Sequence, residues 1–101
     1  MLLLQSTVFA ADPVPTCFGV TYDSNHPDHV LGTNVDDQIV GTSRNDVISG
    51  MNGTDVVLGQ EGDDIICGGN GNDILRGRDG ADRMDGGDGD DVIGRGPDEG
   101  D

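Results

Sequence analysis

The sequence predicts an all-β fold, a parallel β-roll (β-solenoid) of nonapeptide repeats, and three observations carry the prediction. Glycine recurs at positions 32, 41, 50, 59, 68, 77 and 86, a period of nine without a slip. Aspartate fills the sixth place of every unit so defined, and an aliphatic residue fills the eighth. A helix is excluded, because two or three glycines in each nine residues would cost about 1 kcal/mol apiece inside one.

The segments follow in order. Residues 1–11 pair two short apolar stretches, Leu2 to Leu4 and Val8 to Ala11, around Gln5, Ser6 and Thr7. That is too short to span a bilayer, and Val8-Phe9-Ala10 satisfies the small-residue rule for cleavage before Ala11. The stretch therefore reads as a signal-peptide remnant. Residues 12–31 carry no period and are expected to form an N-terminal cap or linker. Residues 32–94 hold seven units: GTNVDDQIV, GTSRNDVIS, GMNGTDVVL, GQEGDDIIC, GGNGNDILR, GRDGADRMD and GGDGDDVIG. Residues 95–101 lose the register at Pro97 and read as a frayed acidic tail.

Within a unit, a Gly/Asn/Asp stretch suited to positive φ precedes three β-prone residues such as Ile65-Ile66-Cys67. One unit is thus a turn plus a short strand. Two units make a coil, so seven units predict two facing parallel sheets, one of four strands and one of three. Strand alternation directs the eighth column between the sheets and the seventh and ninth outward.

Composition narrows the function. Twenty acidic residues against five arginines leave a net charge of -15, a field that repels nucleic acid and anionic membranes and attracts cations. No HExxH, nucleophile elbow, phosphate-binding glycine loop or EF-hand spacing occurs. The expectation is a protein that is not an enzyme. His26 and His29 flank a proline and read as surface residues rather than ligands. Asn52-Gly53-Thr54 has the form of a glycosylation sequon but falls inside a predicted turn, where a glycan would obstruct stacking.

The units GGNGNDILR and GGDGDDVIG fit Gly-Gly-x-Gly-x-Asp-x-aliphatic-x at every fixed position, and the chain resembles the RTX (repeats-in-toxin) nonapeptide family, the haemolysin-type calcium-binding repeats. The resemblance covers residues 32–94. It implies a β-roll with calcium-binding turns, the ion held between turns two units apart by backbone carbonyls and sixth-column carboxylates. Those carboxylates are Asp37, Asp46, Asp55, Asp64, Asp73, Asp82 and Asp91. A turn former alone would not explain seven aspartates out of seven, since serine serves equally in a turn. Asn52, Asn70 and Asp88 in the third column, with Asp63, Asn72 and Asp90 in the fifth, are further candidates, as ligands or as turn formers.

Physical chemistry favours the same ion. One aliphatic side chain per nine residues makes a thin core wrapped in like charge, so something must bind the folded form. Carboxylate and carbonyl oxygens select a hard cation, and the irregular coordination of Ca²⁺ suits turn carbonyls better than the strict octahedron of Mg²⁺. Residues 32–94 carry a net charge of -10. Seven units leave five pairs two units apart, and about five Ca²⁺ would offset that charge. Val35 and Arg44 stand where the last five units have Gly. They should strain their turns if φ must be positive there.

The outward columns of the four-strand sheet hold Val40, Val56, Leu58, Ile74 and Val92, an apolar outer face for a protein or surface partner. They contain no threonine row of the kind an ice-binding face would need. Cys67, in a ninth column of the other sheet, is within reach of Cys17, and in an exported chain a bridge between them would pin the N-terminal segment over the roll. The expectation is a secreted, calcium-dependent module whose folding is coupled to the metal. The alternative is an RTX fragment of a larger secreted enzyme, toxin or adhesin. The short tail differs from the family's long C-terminal export signal, which favours the N-terminal leader as the route.

Overall fold

Short β-prone triplets separated by tight polar turns leave the backbone one way to satisfy its hydrogen bonds, which is pairing between coils. The computed structural model describes residues 16–94, and the expected leader at 1–11 and tail at 95–101 lie outside the described residues. Strands β1 (Thr16–Cys17) and β2 (Val20–Thr21) form an antiparallel hairpin. Its two-residue loop, Phe18-Gly19, has positive φ at both places, the twist that a tight hairpin demands.

Eight three-residue strands then follow at intervals of nine: β3 (His29–Leu31), β4 (Gln38–Val40), β5 (Val47–Ser49), β6 (Val56–Leu58), β7 (Ile65–Cys67), β8 (Ile74–Arg76), β9 (Arg83–Asp85) and β10 (Val92–Gly94). Every second strand pairs in parallel and in register, as in Ile48 opposite Ile66 and Val57 opposite Leu75. The sheets run β9-β7-β5-β3 and β10-β8-β6-β4. No helix occurs among the described residues. The molecule is a parallel β-solenoid of about four coils.

The first sheet has four strands rather than the three expected. The added strand, β3, places His29, Val30 and Leu31 opposite Val47, Ile48 and Ser49. Residues 23–31 therefore form an eighth unit in the same frame, with Asp28 in the sixth column and Val30 in the eighth. Its glycines are absent, with Asp23 and His26 in their places.

Eighth-column side chains fill the space between the sheets: Ile39, Ile48, Val57, Ile66 and Leu75 are buried, with Val30 and Met84 packed at either end. Ile93 in the last coil is exposed. Backbone bonds continue the ladder past the strands on both sides, for example Gly50 N–H to the Cys67 carbonyl and Ile65 N–H to the Asp46 carbonyl. The stack is thus bonded along its whole height.

The hairpin lies across the outer face of β5 and β7. A disulfide joins Cys17 to Cys67 with 5.7 Å between their Cα atoms, as the ninth-column position of Cys67 predicts. The Arg83 guanidinium sits 5.6 Å from the centre of the Phe18 ring, a cation–π contact that extends the hairpin's hold to β9. The opposite outer face has no such cover from the hairpin, and Val40 and Val92 remain 58 % and 55 % exposed.

Candidate metal centre

The first-column glycine and the sixth-column aspartate of each unit share one small space. A Cβ added at Gly50 would lie 2.6 Å from Asp55 Oδ2 and 2.7 Å from the carbonyl oxygen of Gly68 in the next coil. At Gly41 it would lie 2.6 Å from Asp46 Oδ2 and 2.7 Å from the Gly59 carbonyl oxygen. Glycine is needed here for close approach, and the carboxylate folds in beneath it.

The other carboxylate oxygen joins the coils. Asp37 N–H donates to Asp55 Oδ1 (2.9 Å), Asp46 N–H to Asp64 (2.8 Å), Asp55 N–H to Asp73 (2.9 Å), Asp64 N–H to Asp82 (2.8 Å) and Asp73 N–H to Asp91 (2.8 Å). Asp46, Asp55, Asp64 and Asp73 are fully buried, while Asp37, Asp82 and Asp91 near the ends are half-buried. On Asp55, Asp64 and Asp73 the second oxygen, Oδ2, is buried and accepts no hydrogen bond. A buried carboxylate oxygen without a donor carries a desolvation cost that a hydrogen bond or a cation must offset.

Burial accordingly raises the pKa of Asp55, Asp73 and Asp82 above the ordinary carboxylate value, against the pull of the backbone N–H each accepts. Asp64, in the middle of the column, is pushed up to about 7 by burial, with the charges of Asp46 and Asp82 adding to the effect.

The turns fall into two conformational classes. From the third unit on, the second-column residue has positive φ: Met51 (74°), Gln60 (74°), Gly69 (89°), Arg78 (64°) and Gly87 (80°). So does the fourth-column glycine, from Gly53 (99°) to Gly89 (109°). Carbonyls in these columns point along the axis, so that a Cβ on Gly71 would meet the Gly53 carbonyl and one on Gly80 that of Gly62. The first two units differ. Val35 and Arg44 keep ordinary negative φ, so the expected strain is absent.

Thr33 and Thr42 explain the difference. Thr42 donates its N–H to Asp46 Oδ2 (2.8 Å) and its hydroxyl to Asp46 Oδ1 (2.7 Å), and its Oγ1 accepts the Arg44 N–H (3.0 Å). Thr33 repeats the pattern, with N–H to Asp37 Oδ2 (2.7 Å), hydroxyl to Asp37 Oδ1 (2.9 Å) and Val35 N–H to Oγ1 (3.2 Å). A threonine turn replaces the glycine turn and supplies the carboxylate with donors. Sequence reasoning noticed the missing fourth-column glycines but not these threonines, which accompany them in the same two units.

The remaining candidates lie on the outside of the turns. Asn52 and Asn70 form a side-chain ladder, Asn70 Nδ2 to Asn52 Oδ1 (3.0 Å) and Asn52 Nδ2 to Asn34 Oδ1 (2.9 Å). In the fifth column, Asn72 Oδ1 accepts the Asp90 N–H (2.8 Å), and Asp63 Oδ1 accepts the Ala81 N–H (2.8 Å). Asp88 is exposed. The imidazoles of His26 and His29 stack 4.3 Å apart, and each Nδ1 accepts a backbone N–H, from Asp28 and Asp23 respectively.

Among the described residues no three carboxylate, imidazole or thiol side chains gather as one cluster. A metal held here must take most of its ligands from the backbone. The donor set fits a calcium ion: a buried carboxylate oxygen lacking a partner, with axial carbonyls in adjacent turns, is hard oxygen chemistry without preferred geometry. Asp55, Asp64 and Asp73 would contribute Oδ2, and the bound ion would supply the positive charge that these buried carboxylates lack.

Sequence comparison agrees with the geometry. The RTX calcium-binding nonapeptide repeat (4 copies) matches residues 31–66 and again 59–93. The chain belongs to this family of calcium-binding repeats. No curated protein and no solved structure matches it significantly.

Proposed function

We propose that this chain is a secreted module whose folding is coupled to Ca²⁺, with no catalytic residues of its own. The observation that carries the reading is the row of buried, donor-free Oδ2 atoms on Asp55, Asp64 and Asp73. Without a cation these oxygens oppose the stacking of coils, and with one they hold neighbouring turns together. Since the folded form binds and the unfolded chain does not hold these oxygens together, calcium stabilises the roll by mass action. The Cys17–Cys67 disulfide supports an oxidising, extracellular setting. The apolar outer face of β4, β6, β8 and β10 is the surface for a protein partner. Seven glycine-led units make five pairs of turns two units apart, and turn chemistry decides which of them take an ion.

Titrating the purified chain with CaCl₂ from excess chelator, followed by far-UV circular dichroism, tests the coupling. Strand signal should develop with calcium and disappear on re-chelation. An unchanged spectrum between chelator and millimolar calcium would overturn the reading.

A further inference from the structure

Three N-terminal turns receive arginine or threonine donors on their sixth-column carboxylate, whereas Asp55, Asp64 and Asp73 each keep one buried carboxylate oxygen without a donor. Asp28 is held by Arg44, whose Nε donates to Oδ1 at 2.7 Å and whose Nη2 lies 2.7 Å from the same oxygen. Asp37 and Asp46 are held by Thr33 and Thr42. Donor-free carboxylate oxygens begin at Asp55, in the first unit that lacks a second-column threonine and has a fourth-column glycine.

We propose that the second-column residue decides which turns accept calcium, so that the turns led by Gly32 and Gly41 are closed to metal and the ion loads only between open turns. The inference rests on the calcium reading above and specifies where it operates. A threonine that aims both an N–H and an O–H at the carboxylate occupies the lone pairs a cation would use. Opening the turn would break both bonds and force a β-branched residue to positive φ, a conformation such residues strongly avoid. Met51, Gln60 and Arg78 are unbranched at Cβ and already sit there, as do Gly69 and Gly87. Pairs of open turns two units apart are those led by Gly50 and Gly68, Gly59 and Gly77, and Gly68 and Gly86. The protein then binds three calcium ions through paired open turns, and the two pairs that include a threonine turn stay without one.

Counting ions bound to the full chain by native mass spectrometry and by calorimetric titration with CaCl₂ tests this. Wild type should bind three. Thr42→Gly with Arg44→Gly opens the partner of the Gly59 turn and should raise the count to four. Thr33→Gly with Val35→Gly opens the partner of the Gly50 turn while leaving the Asp28–Arg44 pair intact, and should also give four. Thr42→Ser keeps the hydroxyl and should leave three. A wild-type count of four or five overturns the inference while the calcium reading stands, and so does a count of three in both opened variants when they show wild-type circular dichroism in calcium. A count of zero overturns both.

Discussion

Breaking the Cys17–Cys67 bridge should shift the calcium midpoint of folding about tenfold upward. The bond closes a loop between residues 50 apart in sequence. In the chain-entropy model, cross-linking that length removes about 14 cal/mol/K from the unfolded ensemble, or about 4 kcal/mol at 25 °C. Cys17, in the first strand of the hairpin, is 2 % exposed, so the native side of the bond is packed rather than dangling. If three calcium ions bind on folding, each tenfold rise in free calcium stabilises the roll by about three times 1.4 kcal/mol, again about 4 kcal/mol. The two effects offset at one decade of calcium. The assay is a far-UV circular dichroism titration with buffered free calcium, comparing the oxidised protein with Cys17→Ser/Cys67→Ser. Superimposed titrations would refute the reasoning, because the bridge would then contribute nothing to the stability of the coils it spans.

Three further outcomes follow from the same geometry. Asp73→Asn should weaken calcium-driven folding far more than Asp79→Asn, since Asp73 is buried with a donor-free oxygen and Asp79 is exposed; equal calcium midpoints would count against sixth-column ligation. Apparent calcium affinity should fall as pH drops through about 7, because Asp64 in the metal-free fold keeps its proton up to that point and the ion must displace it. With chelator present the sign reverses: a carboxyl whose folded pKa lies above its unfolded value destabilises the fold when ionised, so acidification from pH 8 should stabilise any metal-free roll. Gly50→Ala should destabilise the calcium-loaded protein by more than Gly19→Ala, because its Cβ meets Asp55 Oδ2 and the Gly68 carbonyl oxygen, whereas at Gly19 nothing lies within 4 Å and only a positive φ resists it. Urea midpoints at saturating calcium measure the difference.

What the sequence discloses is what recurs for a steric reason. First-column glycine, sixth-column aspartate and eighth-column aliphatic meet the same neighbours in every coil, so the same residue types return and the two sheets can be read from their spacing. The disulfide is legible for a similar cause, since the outward direction of Cys67 follows from strand alternation. The unit at residues 23–31 is hidden because Asp23 and His26 replace the glycines, and only Asp28 and Val30, nine places before Asp37 and Ile39, betray the frame. The turn classes are half legible. Val35 and Arg44 signal that something differs, but the direction of the difference depends on Thr33 and Thr42, which change the turn instead of straining it. Positive φ at Met51, Gln60 and Arg78 leaves no mark in residue type at all.

The placement of the two turn classes gives the proposed folding a direction. In a solenoid each coil touches only its neighbours, so stability is close to a sum of coil terms and interface terms. A unit closed by threonine or arginine adds an aliphatic residue and a carboxylate with its donors already present. An open unit adds an aliphatic residue of the same kind together with a carboxylate oxygen that has lost water and found nothing in return. Without calcium, extension should therefore become unfavourable beyond Asp46, the last carboxylate held by threonine. The hairpin bridge attaches at Cys67, two strands further on, so the disulfide clamps the first open coil against the closed ones. That arrangement would present the first pair of open turns to calcium already aligned, and leave each later coil to be added against a completed neighbour.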